Sequence, residues 1–175
     1  MLPDVDAATP VAHTPDLVEL LAREVQALEA AERRGDLAEL RRMDPARPNA
    51  PAFFRMLVRH RPDAGPDFAR RCAQLVQLLA LRPEALQRGS LGEAMAANGI
   101  SEARAQKLLA ARGEALATQI ALIARRLAQE RALPYRELGH LLLADNDSAS
   151  ADRTRLRIAR DYFRALDRTP ATDAA

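Results

Sequence analysis

Leu17, Leu20, Leu21, Val25 and Leu28 recur at steps of three and four residues, which is the spacing of one buried stripe along a helix. Thr14 before Pro15 fits an N-cap followed by a first helical residue, and Gly35 marks the expected end of this helix. Asp36 is placed to cap a short helix running through Met43. The stretch 44–51 then has to run extended, because Pro45, Pro48 and Pro51 remove donors and bar the residues before them from helical angles. A helix over 52–59 and a loop over 61–66 follow. Over 67–81, Phe68, Cys72, Leu75, Val76 and Leu79 share one face, where Cys72 serves as a small hydrophobe.

The pattern restarts beyond Pro83 and Gly89. Ser90 and Glu93 have capping-box spacing, Asn98-Gly99 is a helix stop, and Ser101 can cap a helix through Ala111. Leu116, Ile120, Ile123 and Leu127 set the buried face of a helix over 114–131, with Arg125 opposite and Arg126 on its flank. Pro134 opens a helix ending near Asp145, residues 145–152 read as a polar loop, and a last helix covers 152–166 with Leu156, Ala159, Phe163 and Leu166 on its apolar side. Every predicted element is helical. The expectation is an all-α fold of two small helical bundles packed in tandem, over 15–88 and 89–168, between a disordered N-terminus over 1–14 and a disordered tail over 169–175.

Composition adds exclusions. With 48% hydrophobic residues, seven Gly and no Trp in 175 residues, the chain suits packed helices rather than sheet. A single Cys forms no internal disulfide, and His13, His60 and His140 share no metal or nucleophile spacing, so no metal, cofactor or catalytic activity is expected. Asp145, Asn146 and Asp147 begin like a calcium loop, but Ser150 and Leu156 stand where glycine and glutamate are needed. Asp4 and Asp6 near the start, and the lack of an apolar run of about 20 residues, point to a cytoplasmic protein with no membrane association.

Charge is the more informative quantity. The net value is +2, yet the cations are 25 Arg and one Lys, Lys107, and residues 100–175 carry +3 against −1 for residues 1–99. Arginine grips phosphate bidentately, although a GC-rich genome would produce the same bias. On the last helix Arg153, Arg157, Arg160, Arg164 and Arg168 form one stripe, readable as a solvated face or as a phosphate contact, while Arg155 falls among the apolar positions beside Tyr162. Residues 91–109 have the outline of a helix-turn-helix with Arg104 and Lys107 on the second helix, but Met95 stands where a small residue is usual.

Five blocks then fall into a familiar order: Gly35, Ala38, Leu40, Arg41 and Arg42; Pro51, Ala52, Phe53, Phe54 and Arg55; Ser90, Leu91 and Gly92, with Asn98, Gly99, Glu102 and Arg104; Arg125, Arg126 and Leu127; and Ala159, Arg160, Asp161 and Tyr162. Over residues 35–166 this order resembles the CasB family, the small subunit of the type I-E Cascade complex of CRISPR immunity. Departures are Glu93, where relatives often carry a basic residue, a short 82–89 loop, and no Trp near 141–143. The resemblance implies a non-catalytic, all-helical subunit, present in two copies, whose partners are the backbone and large subunits, the crRNA and target DNA. The nucleic-acid-binding positions it points to are Arg41, Arg42, Arg55, Arg104, Arg126, Arg153 and Arg155, to which the helix-turn-helix outline adds Lys107. The competing reading from another class is a helix-turn-helix transcription regulator that reads duplex DNA with Arg104 and Lys107.

Overall fold

The computed structural model describes residues 16–144 and 148–168. The described elements in chain order are α1 (Leu17–Ala30), α2 (Arg34–Arg42), α3 (Pro51–His60), α4 (Pro66–Leu81), a single 3-10 turn (Pro83–Ala85), β1 (Leu86–Gln87), α5 (Leu91–Ala97), α6 (Glu102–Ala110), α7 (Gly113–Gln129), β2 (Leu133–Pro134), α8 (Tyr135–Leu143) and α9 (Ala149–Arg168). The fold is all-α, as expected. The expected disordered ends, the Thr14-Pro15 start and the 145–147 turn lie outside the described residues.

Several boundaries differ from the sequence reading, each for a local reason. The side chain of Asp16 accepts from the Val18 N–H at 3.1 Å and so caps α1. That helix stops at Ala30 rather than Gly35, because Glu32 takes a left-handed φ of 53° and ends the ladder. Arg33, not Asp36, holds the cap position of α2; Gly35 and Asp36 lie in its first turn, where Arg33 pairs with the Asp36 carboxylate at 2.6 Å. Pro134 precedes α8 instead of opening it. The loop expected over 145–152 is cut short: α9 already runs from Ala149, with the Ser148 hydroxyl accepting from the Ala151 N–H at 3.2 Å. Among the described residues the one departure from purely helical elements is β1, which pairs in parallel with β2, Leu86 opposite Leu133 and Gln87 opposite Pro134.

One hydrophobic cluster draws on every α-helix, from Val18 of α1 through Phe53 of α3, Leu75 and Leu79 of α4 and Leu91 of α5 to Tyr162 of α9. Cys72 is buried in it, and burial pushes its thiol up to about 11, which keeps it protonated and inert. The tightest packing is α5 against α9. A Cβ on Gly92 would lie 2.2 Å from the Ile158 carbonyl oxygen and 2.6 Å from the Tyr162 nitrogen, so only glycine lets these backbones meet. Four bonds fasten the contact. The Ser90 hydroxyl donates to Asp161 at 2.8 Å, the Tyr162 hydroxyl donates to the Ile100 carbonyl at 2.6 Å, and the buried Glu137 carboxylate accepts from the Leu91 N–H at 2.7 Å and from Arg157 at 2.5 Å.

That contact decides which face of α9 turns inward. Ala151, Thr154, Arg155, Ile158 and Tyr162 are buried. Leu156 and Phe163, expected in the core, are instead 60% and 38% exposed. The sequence holds two candidate stripes on this helix, and Gly92 selects the one centred on Ile158 and Tyr162.

Gly92→Ala is expected to cost about 2 kcal/mol or more in urea denaturation, since the clash is with backbone that cannot rotate away. Gly35→Ala, where an added Cβ meets nothing within 4 Å, serves as the neutral or slightly stabilising comparison. A second expectation concerns Glu19 of α1, which accepts from Arg88, from the Tyr135 hydroxyl at 2.7 Å and from Arg23 at 3.2 Å. Chiefly through Arg88, then Tyr135, its carboxyl is held down to about 2 from an ordinary 4.5. A carboxyl depressed on folding stabilises above its unfolded pKa and loses that contribution as pH falls toward the folded one, so the network weakens between about 4.5 and 2. Glu19→Gln should therefore flatten the fall of thermal midpoint with acid over that window; an unchanged slope would remove Glu19 from it.

Candidate nucleic-acid interface

The cations sort by what they hold. Asp16, which caps α1, and Glu19 and Glu24 within it engage basic side chains brought by other elements: Asp16 meets His140 at 2.5 Å and Arg136 at 3.9 Å, Glu19 meets Arg88, and Glu24 meets Arg59 at 2.5 Å and His60 at 3.0 Å. Arg71 donates to the carbonyls of Leu143 and Ala144, at 3.2 and 3.0 Å, and thereby ties α4 to the end of α8. Arg112 closes the end of α6 by donating to the carbonyls of Leu109, Ala110 and Ala111, at 3.0, 3.1 and 2.9 Å. Among the described residues no cluster of three His, Cys, Asp or Glu side chains could hold a metal ion, and no helix is long and apolar enough to cross a membrane.

Three of the cations singled out in the sequence come together. Arg104 and Lys107 of α6 and Arg126 of α7 line a groove of about 260 Å³ with Ile100, Gln119, Leu122 and Ile123. Local folding explains the arrangement. Ala105 and Leu108 bury one face of α6, which leaves Arg104 and Lys107, three residues apart, on another. On α7, Ile120, Ile123, Ala124 and Leu127 are buried, and Gln119, Leu122 and Arg126 follow one another at i, i+3 and i+7 along the groove wall. Arg104 and Lys107 are exposed and form no ion pair among the described residues; Arg126 reaches Glu130 at 3.3 Å, a pair open to solvent and so of small energy. Leu122 is 55% exposed on the wall. The sequence reading missed Gln119 and Leu122, although their spacing from Arg126 was there to be read.

The other candidates lie elsewhere. Arg41 at the end of α2 donates through Nε to the Ala80 carbonyl at 2.5 Å, where Gln77 also grips the Arg41 and Met43 carbonyls, at 3.2 and 2.7 Å. Its neighbour Arg42 lines a separate shallow depression of about 280 Å³ beside Asn49, Ala50 and Pro51. Arg55 of α3 stands 3.6 Å from Asp36, so it belongs to the opposite end of α2. Arg153 is exposed in the second turn of α9. Arg155 turns inward with 7% of its side chain exposed, paired with Asp152 at 3.3 Å and reaching the Ala111 carbonyl at 3.5 Å, at the end of α6 that Arg112 also closes.

Comparison with known proteins places these features in a family. The family model described as CRISPR-associated protein Cse2 matches residues 36–163, from the first turn of α2 into α9. No curated protein matches the chain. One chain of a crystal structure of E. coli Cascade bound to a PAM-containing dsDNA target shares the fold, with a TM-score of 0.62 and 22% identity over 85% of this chain and 95% of that chain.

The two neighbouring arginines of α2 make a test of the sorting. Arg41→Ala removes the donor to the Ala80 carbonyl and should cost about 0.5–1.5 kcal/mol in urea denaturation. Arg42→Ala removes no such bond and should stay within about 0.5 kcal/mol of the wild type. Equal costs would show that Arg41 is not anchored.

Proposed function

The chain belongs to the Cse2 family of CRISPR-associated proteins, called CasB above, and on that premise we propose that this Cascade subunit, without catalysis of its own, holds nucleic-acid backbone in the α6–α7 groove and prolongs the opened state of target DNA. One observation carries the reading: Arg104, Lys107 and Arg126, from two helices, converge on a single open groove. Such a groove suits a strand backbone, because each cation can replace condensed counterions at a phosphate whatever the base. Exchange of a DNA duplex for an RNA–DNA heteroduplex is nearly balanced, so a few backbone contacts decide how long the opened state lasts.

The partners that follow are the crRNA-bearing backbone subunits, the large subunit and the target DNA, with two copies of this chain in the complex. Arg41 and Arg42 at one end of α2 and Arg55 beside its other end make further, separate contacts, and Arg153 adds one on α9. Arg155 serves the groove from behind by holding the end of α6. The arrangement favours this reading over a transcription regulator. A recognition helix has to enter the major groove by an unobstructed face, whereas Arg104 and Lys107 face a trough walled by α7.

The test is salt dependence. Arg104→Ala, Lys107→Ala and Arg126→Ala should each weaken binding of single-stranded DNA by similar factors for unrelated sequences, and each should flatten the slope of log affinity against log salt by about 0.7. A triple variant with the wild-type slope would refute the groove. A variant that shifts sequence preference would instead speak for base reading and the regulator.

A further inference from the structure

A second surface is left over once the groove and the internal pairs are accounted for. On α9, Leu156, Ala159, Phe163 and Leu166 stand at i, i+3, i+7 and i+10, the a/d spacing of a helix that packs against another helix. The α5 contact turns the outer side of this stripe to the flank of α9: Leu156 is 60% and Phe163 38% exposed, Ala159 is half-buried, and Leu166 packs at its inner edge against the core. Along its outer edge run Arg153, Arg160 and Arg164, all exposed and none in an ion pair among the described residues, the latter two flanking Phe163. Of the carboxylates on α9, Asp152 is paired with Arg155 and Asp161 accepts from Ser90, which leaves Asp167 near the far end.

We infer that this stripe is the docking face for a helix of another protein subunit, one that presents apolar residues to Leu156 and Phe163 and acidic residues to Arg160 and Arg164. The apolar spacing suits a helical partner, since a ridge at a/d intervals is filled by the side chains of a facing helix. The charge decides its chemistry. A second copy of α9 would set guanidinium against guanidinium along the seam, which costs free energy in either orientation. A phosphate backbone would satisfy the arginines and leave Leu156 and Ala159 against water. An acidic amphipathic helix satisfies both. The inference rests on the chain's place in a multi-subunit complex and is independent of the α6–α7 groove.

The experiment uses the complex assembled from the full-length chain, its neighbouring subunits and crRNA, with a photo-crosslinking phenylalanine analogue placed at Leu156 and, separately, at Phe163. Irradiation should join each position to a helical segment of another subunit with Asp or Glu flanking its apolar residues. Crosslinks to nucleic acid, to a second copy of this chain or to a segment without acidic flanks, or no crosslink in the assembled complex, would overturn the assignment. A charge arm adds a readout. Arg160→Glu with Arg164→Glu should reduce incorporation at least tenfold, and the corresponding double Lys variant should retain most of it, while both isolated chains keep the wild-type thermal midpoint within a few degrees. Equal incorporation of the Glu and wild-type chains would also overturn it. If the wild-type chain assembles with no subunits, the Cascade reading fails and takes this surface with it; if it assembles and the stripe alone proves bare, only the docking face is lost.

Discussion

The missing side chain at position 92 sets more of this molecule than any single side chain present. Because α5 lies backbone to backbone on α9, the rotation of α9 is fixed by what can approach a bare Cα: Ile158 and Tyr162 face in. Everything around the helix follows. Arg155, on the same side, is carried inward to the end of α6, and Leu156 and Phe163 are carried out. Close approach of this kind leaves two packed backbones no lateral play, and the hydrogen bonds at Ser90, Glu137 and Tyr162 act on a geometry already narrow.

A second ordering principle is the consumption of charge. Asp16 at the cap of α1, Glu19 and Glu24 within it and Glu137 of α8 bind basic side chains from other elements, and these pairs hold helices together. An arginine-rich composition therefore says little about ligands until this internal demand is subtracted. Among the exposed cations without an ion pair among the described residues are Arg104 and Lys107 on one groove and Arg160 and Arg164 on the last helix, and these are the ones on which the proposed groove and docking face draw.

The helices were legible because their signals are local: the Ser90 cap, the Asn98-Gly99 stop with Gly99 at a φ of 67°, and the spacing of Leu116, Ile120, Ile123 and Leu127. Boundaries slipped where a residue acted without a characteristic signal, as with Glu32 in a left-handed turn or Arg33 at a cap position with no side-chain bond. Two-residue strands are too short to carry a period. The face of α9 was misassigned because periodicity sees two apolar stripes and cannot weigh them; only a contact with α5, some 70 positions away in sequence, does so. For the groove, Arg104 and Arg126 came from the family resemblance and Lys107 from the helix-turn-helix outline, but nothing local says that α6 and α7 face each other. The oddity of Arg155 among apolar positions was visible, and its carbonyl partner at Ala111 was not.

The small parallel pair of β1 and β2 has a consequence for how such a chain can vary. Leu86 and Leu133 touch, so the excursion that carries α5, α6 and α7 leaves and rejoins the framework at one point. An insertion or deletion in the turn between α6 and α7 is then contained between closed ends, and its entropic cost grows only slowly with length. A change of length in that turn can therefore alter the mouth of the groove while the buried faces of α5 on α9 and of α7 on α4 keep their registry.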